Sequence, residues 1–214
     1  ARGPRPGRAA PRTPLLPPPR APPRRALGPP PAPPLIADDW LVIRNRLTGI
    51  CGSDSKQVLM DFEDAGDNMM TAFISFPQVL GHEVVGTVDH AGPAVEGLET
   101  GQRVLLYPNV GCRARGLSPV CPACERGGYQ RFWEGTLSPG IHSGNAVEAT
   151  GGFADLVPAH TSMAFAVPDD VSDEVAVLAD PWSVSFHAIT RNPPPPGGRA
   201  LVYGAGALGS TATA

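Results

Sequence analysis

The sequence predicts a mainly β, barrel-like domain followed by the first βα unit of a parallel α/β domain. Three observations lead there. Short apolar runs separated by glycine and proline turns fill residues 35–157, two helix signals lie close together near Ser172 and Pro181, and a strand-like segment at 199–203 runs straight into Gly204-x-Gly206-x-x-Gly209. Short strands at that spacing close into small barrels. A strand, a glycine turn and a helix in succession open a βαβ crossover.

Composition bounds what such a protein can be. At 214 residues and 42% hydrophobic content the chain can bury a core in one large or two small domains. The net charge of -3 is unevenly spread. Residues 1–37 hold seven of the seventeen basic residues and no acid, so the other ten face all twenty acids and the body carries about -10, a sign that argues against nucleic acid as a partner. Lys56 stands alone beside sixteen arginines, a bias of GC-rich coding rather than of function. Four cysteines without a secretory leader do not make a secreted disulfide framework and suit a reducing, cytoplasmic compartment. No run of about 18 apolar residues occurs, so no membrane partner is expected.

Taken in order, residues 1–34 contain fourteen prolines and the seven tail arginines. This composition has little to bury and reads as a disordered or polyproline II tail outside the fold, with a proline-rich ligand or basic arm as the functional alternative. The tail also resembles out-of-frame translation of GC-rich DNA and is expected to replace the domain's first strands. Order is expected from residue 35, with a β domain over 35–190 and the start of the α/β domain over 191–214. Apolar positions 41, 43 and 47 alternate with polar 44 and 46, predicting a half-buried strand over 40–47 that delivers Cys51 to a glycine-bracketed loop. Residues 56–70 lack a period and read as a surface excursion. Residues 73–80 lead into a strand over 84–88, a turn over 93–101 and a strand over 103–106. Residues 111–151 change to cysteine, proline and glycine and read as a lobe. Strand character resumes at 152–157. Ser172 is the N-cap of a short helix, Pro181 opens a second helix running to 190, and prolines 193–196 end it as a stiff hinge.

Chemistry enters at three places. Gly204-x-Gly206-x-x-Gly209 after a strand allows a tight turn and close backbone approach to a pyrophosphate, so these glycines are candidates for a dinucleotide site. The acid that would decide between NAD and NADP falls after Ala214, which leaves both cofactors open. Gly81-His82-Glu83 sets an imidazole beside a carboxylate. Neighbours in a strand face opposite ways, so both reach one ion only if the backbone bends at Gly81. Gly49-Ile50-Cys51-Gly52-Ser53-Asp54 upstream and Ala179-Asp180-Pro181 downstream supply a thiol and a carboxylate.

In order and spacing, these motifs together with Gly101-Gln102-Arg103-Val104 resemble the zinc-containing medium-chain alcohol dehydrogenase family over about residues 38–214. Asp180-Pro181-Trp182-Ser183-Val184-Ser185-Phe186-His187-Ala188 is similar to the Glu-Pro helix of its polyol and threonine dehydrogenase branches, with Asp in place of Glu. The resemblance implies a GroES-like β domain with a catalytic zinc, and a Rossmann domain binding NAD or NADP. It implies Cys51 and His82 as zinc ligands, Glu83 and Asp180 as carboxylate ligands or near-ligands, and Ser53 as the hydroxyl that carries the alcohol proton outward. It also implies a small alcohol or carbonyl substrate, with a secondary alcohol or polyol as the suggested class, and a homo-oligomer. Zinc suits sulfur, nitrogen and oxygen donors and keeps a position open in catalytic sites, where it acts as a Lewis acid toward an alkoxide.

Two departures from the family stand out. Lys56 replaces a histidine that in many relatives ends the proton relay. The family's structural zinc pattern, Cys-x2-Cys-x2-Cys-x7-Cys, falls on Ser118, Cys121, Cys124 and Phe132, so only two positions are cysteine. Cys112 could supply a third thiolate through the longer loop, and an acid such as Glu125 or Glu134 a fourth; a metal-free lobe is the alternative. None of His90, His142, His160 and His187 is assigned to metal. His160 reads as structural, and His187 as at most a neighbour of a ligand. A chain with only the first βα unit is not expected to turn over alone. Competing readings are a non-catalytic zinc-binding β domain and a zinc-free quinone reductase-like relative.

Overall fold

Strand β1 (Trp40–Gly49) is the spine of the domain. Its first four residues are all buried, as expected of a segment covered on both faces, and its second half is more exposed. In the computed structural model, which describes residues 33–59, 79–126 and 151–214, β1 pairs antiparallel with β2 (Glu83–Ala91) on one side and β4 (Leu156–His160) on the other. β3 (Arg103–Leu106) extends the sheet beyond β2, and β5 (Ala164–Ala166) beyond β3, giving the order β4-β1-β2-β3-β5. Register shifts between Val42 and Ile43 and between Asn45 and Leu47 bend β1.

β4 and β5 end this order, yet only the 3-10 turn Thr161–Met163 separates them. In a flat sheet they would stand about 19 Å apart at ~4.8 Å per strand, farther than so short a turn reaches. The sheet therefore curls, and Tyr107 N–H donates to Met163 O (2.7 Å) where the curl closes. Leu41, Ile43, Val84, Val88, Val104, Leu106, Val157 and Ala159 form the main core. A second cluster of Trp40, Val110, Ala114 and Met163 ties the start of the lobe to the sheet.

Helices α1 (Gly52–Leu59) and α2 (Pro122–Glu125) lie between strands, and three more follow the sheet. In α3 (Asp173–Ala176) Ser172 Oγ accepts from Val175 N–H (3.4 Å), as its capping sequence predicts. Asp173 also receives Arg103 (3.0 Å) and Arg46 (2.6 Å), tying α3 to β1 and β3. α4 (Ala179–Arg191) carries Pro181 in its first turn, where the missing N–H costs nothing, and ends before the proline run. α5 (Ala207–Thr211) packs on α4: Ser185 Oγ donates to Leu208 O (2.9 Å) and meets Thr211 Oγ1 (2.8 Å). Gly209 permits this turn, because a Cβ there would lie 2.0 Å from Gly204 O.

Three local expectations are corrected. Gly52–Leu59 is a helix, α1, where the sequence reads as a loop and then a surface excursion; hydrogen bonds from Asp54 and Ser55 N–H to Cys51 O start it without any apolar stripe. Regular strand begins at Leu156 rather than Gly152, since residues 152–154 turn to meet β1 through Asn45 Nδ2, which donates to Gly152 O and Ala154 O. Residues 199–203 carry no sheet partner among the described residues, with Leu201 90% and Tyr203 100% exposed, so the strand before the glycine motif does not form here. Expectations for residues 1–32, 60–78 and 127–150, including those on Phe132, Glu134 and His142, lie outside the described residues. No described helix is long and apolar enough to cross a membrane.

Candidate metal centre

Cys51 sits between the end of β1 and the start of α1. Its backbone is held by a reciprocal pair of bonds: Cys51 N–H donates to Asp54 Oδ2 (2.9 Å) while Cys51 O accepts from Asp54 N–H (3.1 Å). The same carboxylate reaches across to the other half of the site. Asp54 Oδ1 accepts from Gly81 N–H (3.1 Å) and lies 3.4 Å from His82 Nδ1. Asp54 is 2% exposed, so one buried anion fixes both the thiol-bearing and the imidazole-bearing segments.

Gly81 has φ of 91°, a conformation that favours glycine. Residues 152 and 153 brace this turn, with Gly152 N–H donating to Gly81 O (2.7 Å) and Phe153 N–H to Leu80 O (2.9 Å). His82 therefore precedes the regular strand, which begins at Glu83, and strand alternation does not separate the two side chains. Glu83 faces Gly49 across the β1–β2 ladder. Its carboxylate occupies the space where a Gly49 Cβ would be, 2.0 Å from Oε2, which brings it toward Cys51. The donor atoms of Cys51, His82 and Glu83 all lie within 4.8 Å of one another.

The electrostatics of this corner are those of crowded anions around one imidazole. Burial works against a charged His82, but the Asp54 carboxylate and the Cys51 sulfur outweigh it and raise the imidazole to about 9. Burial also works against an ionised Asp54, but the His82 contact and the Cys51 and Gly81 N–H groups hold the carboxyl below its ordinary range. Glu83 is pushed up by burial and by the negative charge of Asp180, and Asp180 is pushed up by burial against the pull of His82. A divalent cation would relieve this repulsion and compete with the protons. The donor set fits zinc, which takes thiolate, imidazole and carboxylate together.

The other expected residues are placed less closely. Asp180, second residue of α4, acts on Glu83 through its charge but lies outside the three-residue donor cluster. Ser53 is half-buried in the first turn of α1, and Lys56 is exposed on the same helix. His160 is structural: Nε2 lies 3.0 Å from Asp39 Oδ2, and Nδ1 accepts from Ser162 N–H (3.0 Å). His187 is exposed on α4. Gly204, with φ of 117°, Gly206 and Gly209 form the turn into α5.

A second cluster lies in the lobe, where the Cys112, Cys121 and Cys124 sulfurs also fall within 4.8 Å of one another. Backbone bonds over 111–117, with Gly116 at φ of 64°, fold the longer loop back so that Cys112 reaches the pair. Cys112 N–H donates to Cys124 Sγ and Cys124 N–H to Cys121 Sγ, both at 3.4 Å. N–H donation of this kind favours thiolate, and it brings Cys121 down to about 7, whereas burial pushes Cys112 up. A closed four-thiolate zinc does not fit the sequence, since Ser118 and Phe132 occupy two of its four positions. Glu125 is exposed and outside the group.

Sequence reading gave no role to Asp54, Gly49, Gly152 or Arg115. Asp54 carries the clearest signal, an acid three residues after a cysteine at a helix start. The close approaches at Gly49 and Gly152 leave no such mark.

The profile of the alcohol dehydrogenase GroES-like domain matches residues 37–169. The probable (R)-acetoin forming diacetyl reductase 2 of Saccharomyces cerevisiae is 34% identical over 83% of this chain and 44% of its own length. The sorbitol dehydrogenase of Bacillus subtilis is 30% identical over 85% of this chain and 46% of its own. Among solved structures, the alcohol dehydrogenase TADH of Thermus sp. ATN1 superposes with a TM-score of 0.64 at 26% identity, covering 85% of this chain and 48% of that one. The dehydrogenase RspB of Escherichia coli CFT073, solved with NADH, gives 0.62 at 27% identity, covering 84% and 46%. The chain thus spans about half the length of the curated relatives it matches.

Proposed function

The chain belongs to the medium-chain alcohol dehydrogenase family through its GroES-like domain, and from that premise we propose that it carries the zinc half of an NAD(P)-dependent alcohol dehydrogenase. The observation that supports this reading most is the convergence of the Cys51, His82 and Glu83 donors within 4.8 Å over a single buried carboxylate. These three residues would hold the ion, with Asp180 as a nearby carboxylate. When bound, zinc supplies Lewis acidity that lets an alcohol oxygen give up its proton.

The chain's own residues do the rest. Asp54, against Nδ1, turns the imidazole so that Nε2 is left for the ion and stays a strong donor. Ser53 takes the alcohol proton and passes it outward, and exposed Lys56 stands where many relatives have the histidine that ends the relay. Residues 191–214 begin the nucleotide-binding domain, and Gly204, Gly206 and Gly209 bring its backbone close to the pyrophosphate of NAD or NADP. A secondary alcohol or polyol is the substrate class, in keeping with the sorbitol dehydrogenase and acetoin-forming relatives. In this reading the protein acts as a homo-oligomer.

Metal analysis tests the site. Purified protein should lose one zinc per chain on combining Cys51→Ser with His82→Ala; a metal content unchanged by that pair rejects the assignment. One observation favours a second reading, a metal-binding β domain without hydride transfer: residues 199–203 lack a sheet partner among the described residues. Saturable NADH binding, read by fluorescence titration, would reject this second reading, because a metal-binding domain without hydride transfer has no need of a nicotinamide.

A further inference from the structure

The lobe holds two thiols in one local turn. In Cys121-Pro122-Ala123-Cys124 the first cysteine caps α2 and the second is the third residue of that helix. Their sulfurs lie within 4.8 Å of each other. Both residues are half-buried free cysteines, whereas Cys112, the third sulfur of the group, is 0% exposed.

The polar contacts give the three sulfurs different parts. Cys121 Sγ accepts from Cys124 N–H (3.4 Å) and is also drawn to Ala123 N–H. Such donation favours the thiolate, the form that attacks an oxidant. Cys124 Sγ accepts from Cys112 N–H (3.4 Å), which holds it beside Cys121. A disulfide needs its two Cβ atoms about 3.5–4.5 Å apart. Residues three apart at a helix start already share a face, so a small local shift closes this pair. Cys112 is less able to move. Leu117 N–H donates to its carbonyl (2.9 Å), and Val110 and Ala114 on either side of it belong to the second core cluster.

We propose that Cys121 and Cys124 form a reversible oxidation site for hydroperoxides, closing to a disulfide while Cys112 stays a thiol. The Cys121 thiolate attacks the outer peroxide oxygen. An S–O bond forms, the O–O bond breaks, and the departing oxygen takes up a proton to leave as water or, from an alkyl hydroperoxide, as an alcohol. The Cys124 sulfur then attacks the sulfenic sulfur. The S–S bond forms, and the hydroxyl leaves with the Cys124 thiol proton as water. The dithiol loses two electrons and the peroxide gains two, and an external dithiol reverses the change by exchange. Bridging draws Cys124 Sγ away from Cys112 N–H, so oxidation is felt in the turn 111–117 while the donors at Cys51, His82 and Glu83 are untouched.

Peptide mapping without reduction tests this. The full chain is treated with hydrogen peroxide, alkylated with iodoacetamide and digested. The peptide holding residues 121–124 should lose the mass of two hydrogens and escape alkylation, and dithiothreitol before alkylation should restore both thiols. Cys124→Ser should stop at a sulfenic acid that dimedone traps on Cys121. Cys121→Ser should slow dimedone labelling of Cys124 by about tenfold or more, as expected when the activated thiolate is gone. Cys112→Ser should still form the bridge. All four cysteines remaining alkylatable after peroxide overturns the site. A bridge to Cys112 overturns the pairing, and undiminished labelling of Cys124 in Cys121→Ser overturns the nucleophile. If Cys112→Ser does not fold, the map of the parent chain still decides.

Discussion

The two sulfur-bearing clusters are built on opposite electrostatic plans. The centre at Cys51, His82 and Glu83 draws its donors from two segments separated by the whole α1 region and fixes them with a buried anion, Asp54. Among the described residues the lobe cluster takes its three sulfurs from residues 112–124, where the Cys112 sulfur acts on the charge of the buried Arg115 guanidinium. The first mixes three donor types and crowds carboxylates around an imidazole, as the catalytic ion proposed above would require. The second is all sulfur, and its geometry depends on local turns. A change that breaks one plan should therefore leave the other intact.

The largest separation is expected from Asp54→Asn. Asparagine can still accept from Cys51 or Gly81 N–H, but the negative charge behind His82 is gone. Metal affinity at the first centre should fall by about 10- to 100-fold, the usual cost of losing a carboxylate behind a ligating histidine, while the thiol reactivity of the lobe cysteines stays within error. In metal-free protein the His82 imidazole, held at about 9 largely by Asp54, should titrate at lower pH in the variant, as NMR would record. A parallel change in the reactivity of the lobe cysteines would show that Asp54 acts on the fold as a whole.

A smaller effect of the same kind is expected at Gly49. Alanine would put Cβ 2.0 Å from Glu83 Oε2 and 3.0 Å from Glu83 Cβ, so the carboxylate must swing away or the strand must shift. Gly49→Ala should weaken metal binding at the first centre by about tenfold and leave the lobe unchanged. An affinity equal to that of the parent would mean that Glu83 is dispensable as a donor.

These contrasts also explain which parts were legible in the sequence. β3 was readable because Arg103–Leu106 alternates between a glycine turn and the lobe, and the cap of α3 because Ser172 satisfies a free N–H at a predictable offset. α1 was not readable, since Gly52–Leu59 has no apolar stripe and is organised by polar bonds around Cys51 and Asp54. The residues of the first cluster were visible as motifs. The path that brings Glu83 to it was not, because it depends on a positive-φ turn at Gly81 and an empty space at Gly49. Residues 199–203 have strand composition, yet composition cannot supply the neighbouring strand that makes a strand. Arg115, in a stretch that reads only as part of the lobe, is buried where the turn carrying Cys112 folds inward.

The smallest expected effect probes the scaffold common to both clusters. Asp173 receives Arg46 (2.6 Å) and Arg103 (3.0 Å), joining α3 to β1 and β3, and these cations hold its carboxyl below the ordinary value of 3.8. Because the folded state lowers this pKa, the unfolded chain takes up the proton more readily. The stabilisation is complete above the ordinary carboxyl range and is lost as pH falls through the depressed folded value. Asp173→Asn should therefore cost about 1 kcal/mol at neutral pH, near the upper end for partly exposed pairs, and should flatten part of the acid limb of stability in urea titrations run between neutral pH and pH about 3. Metal affinity at the first centre and the thiol reactivity of the lobe cysteines should stay unchanged at neutral pH. A change at either cluster in this variant would mean that α3 helps to set the donor geometry, and that the two plans are less separate than their counter-charges imply.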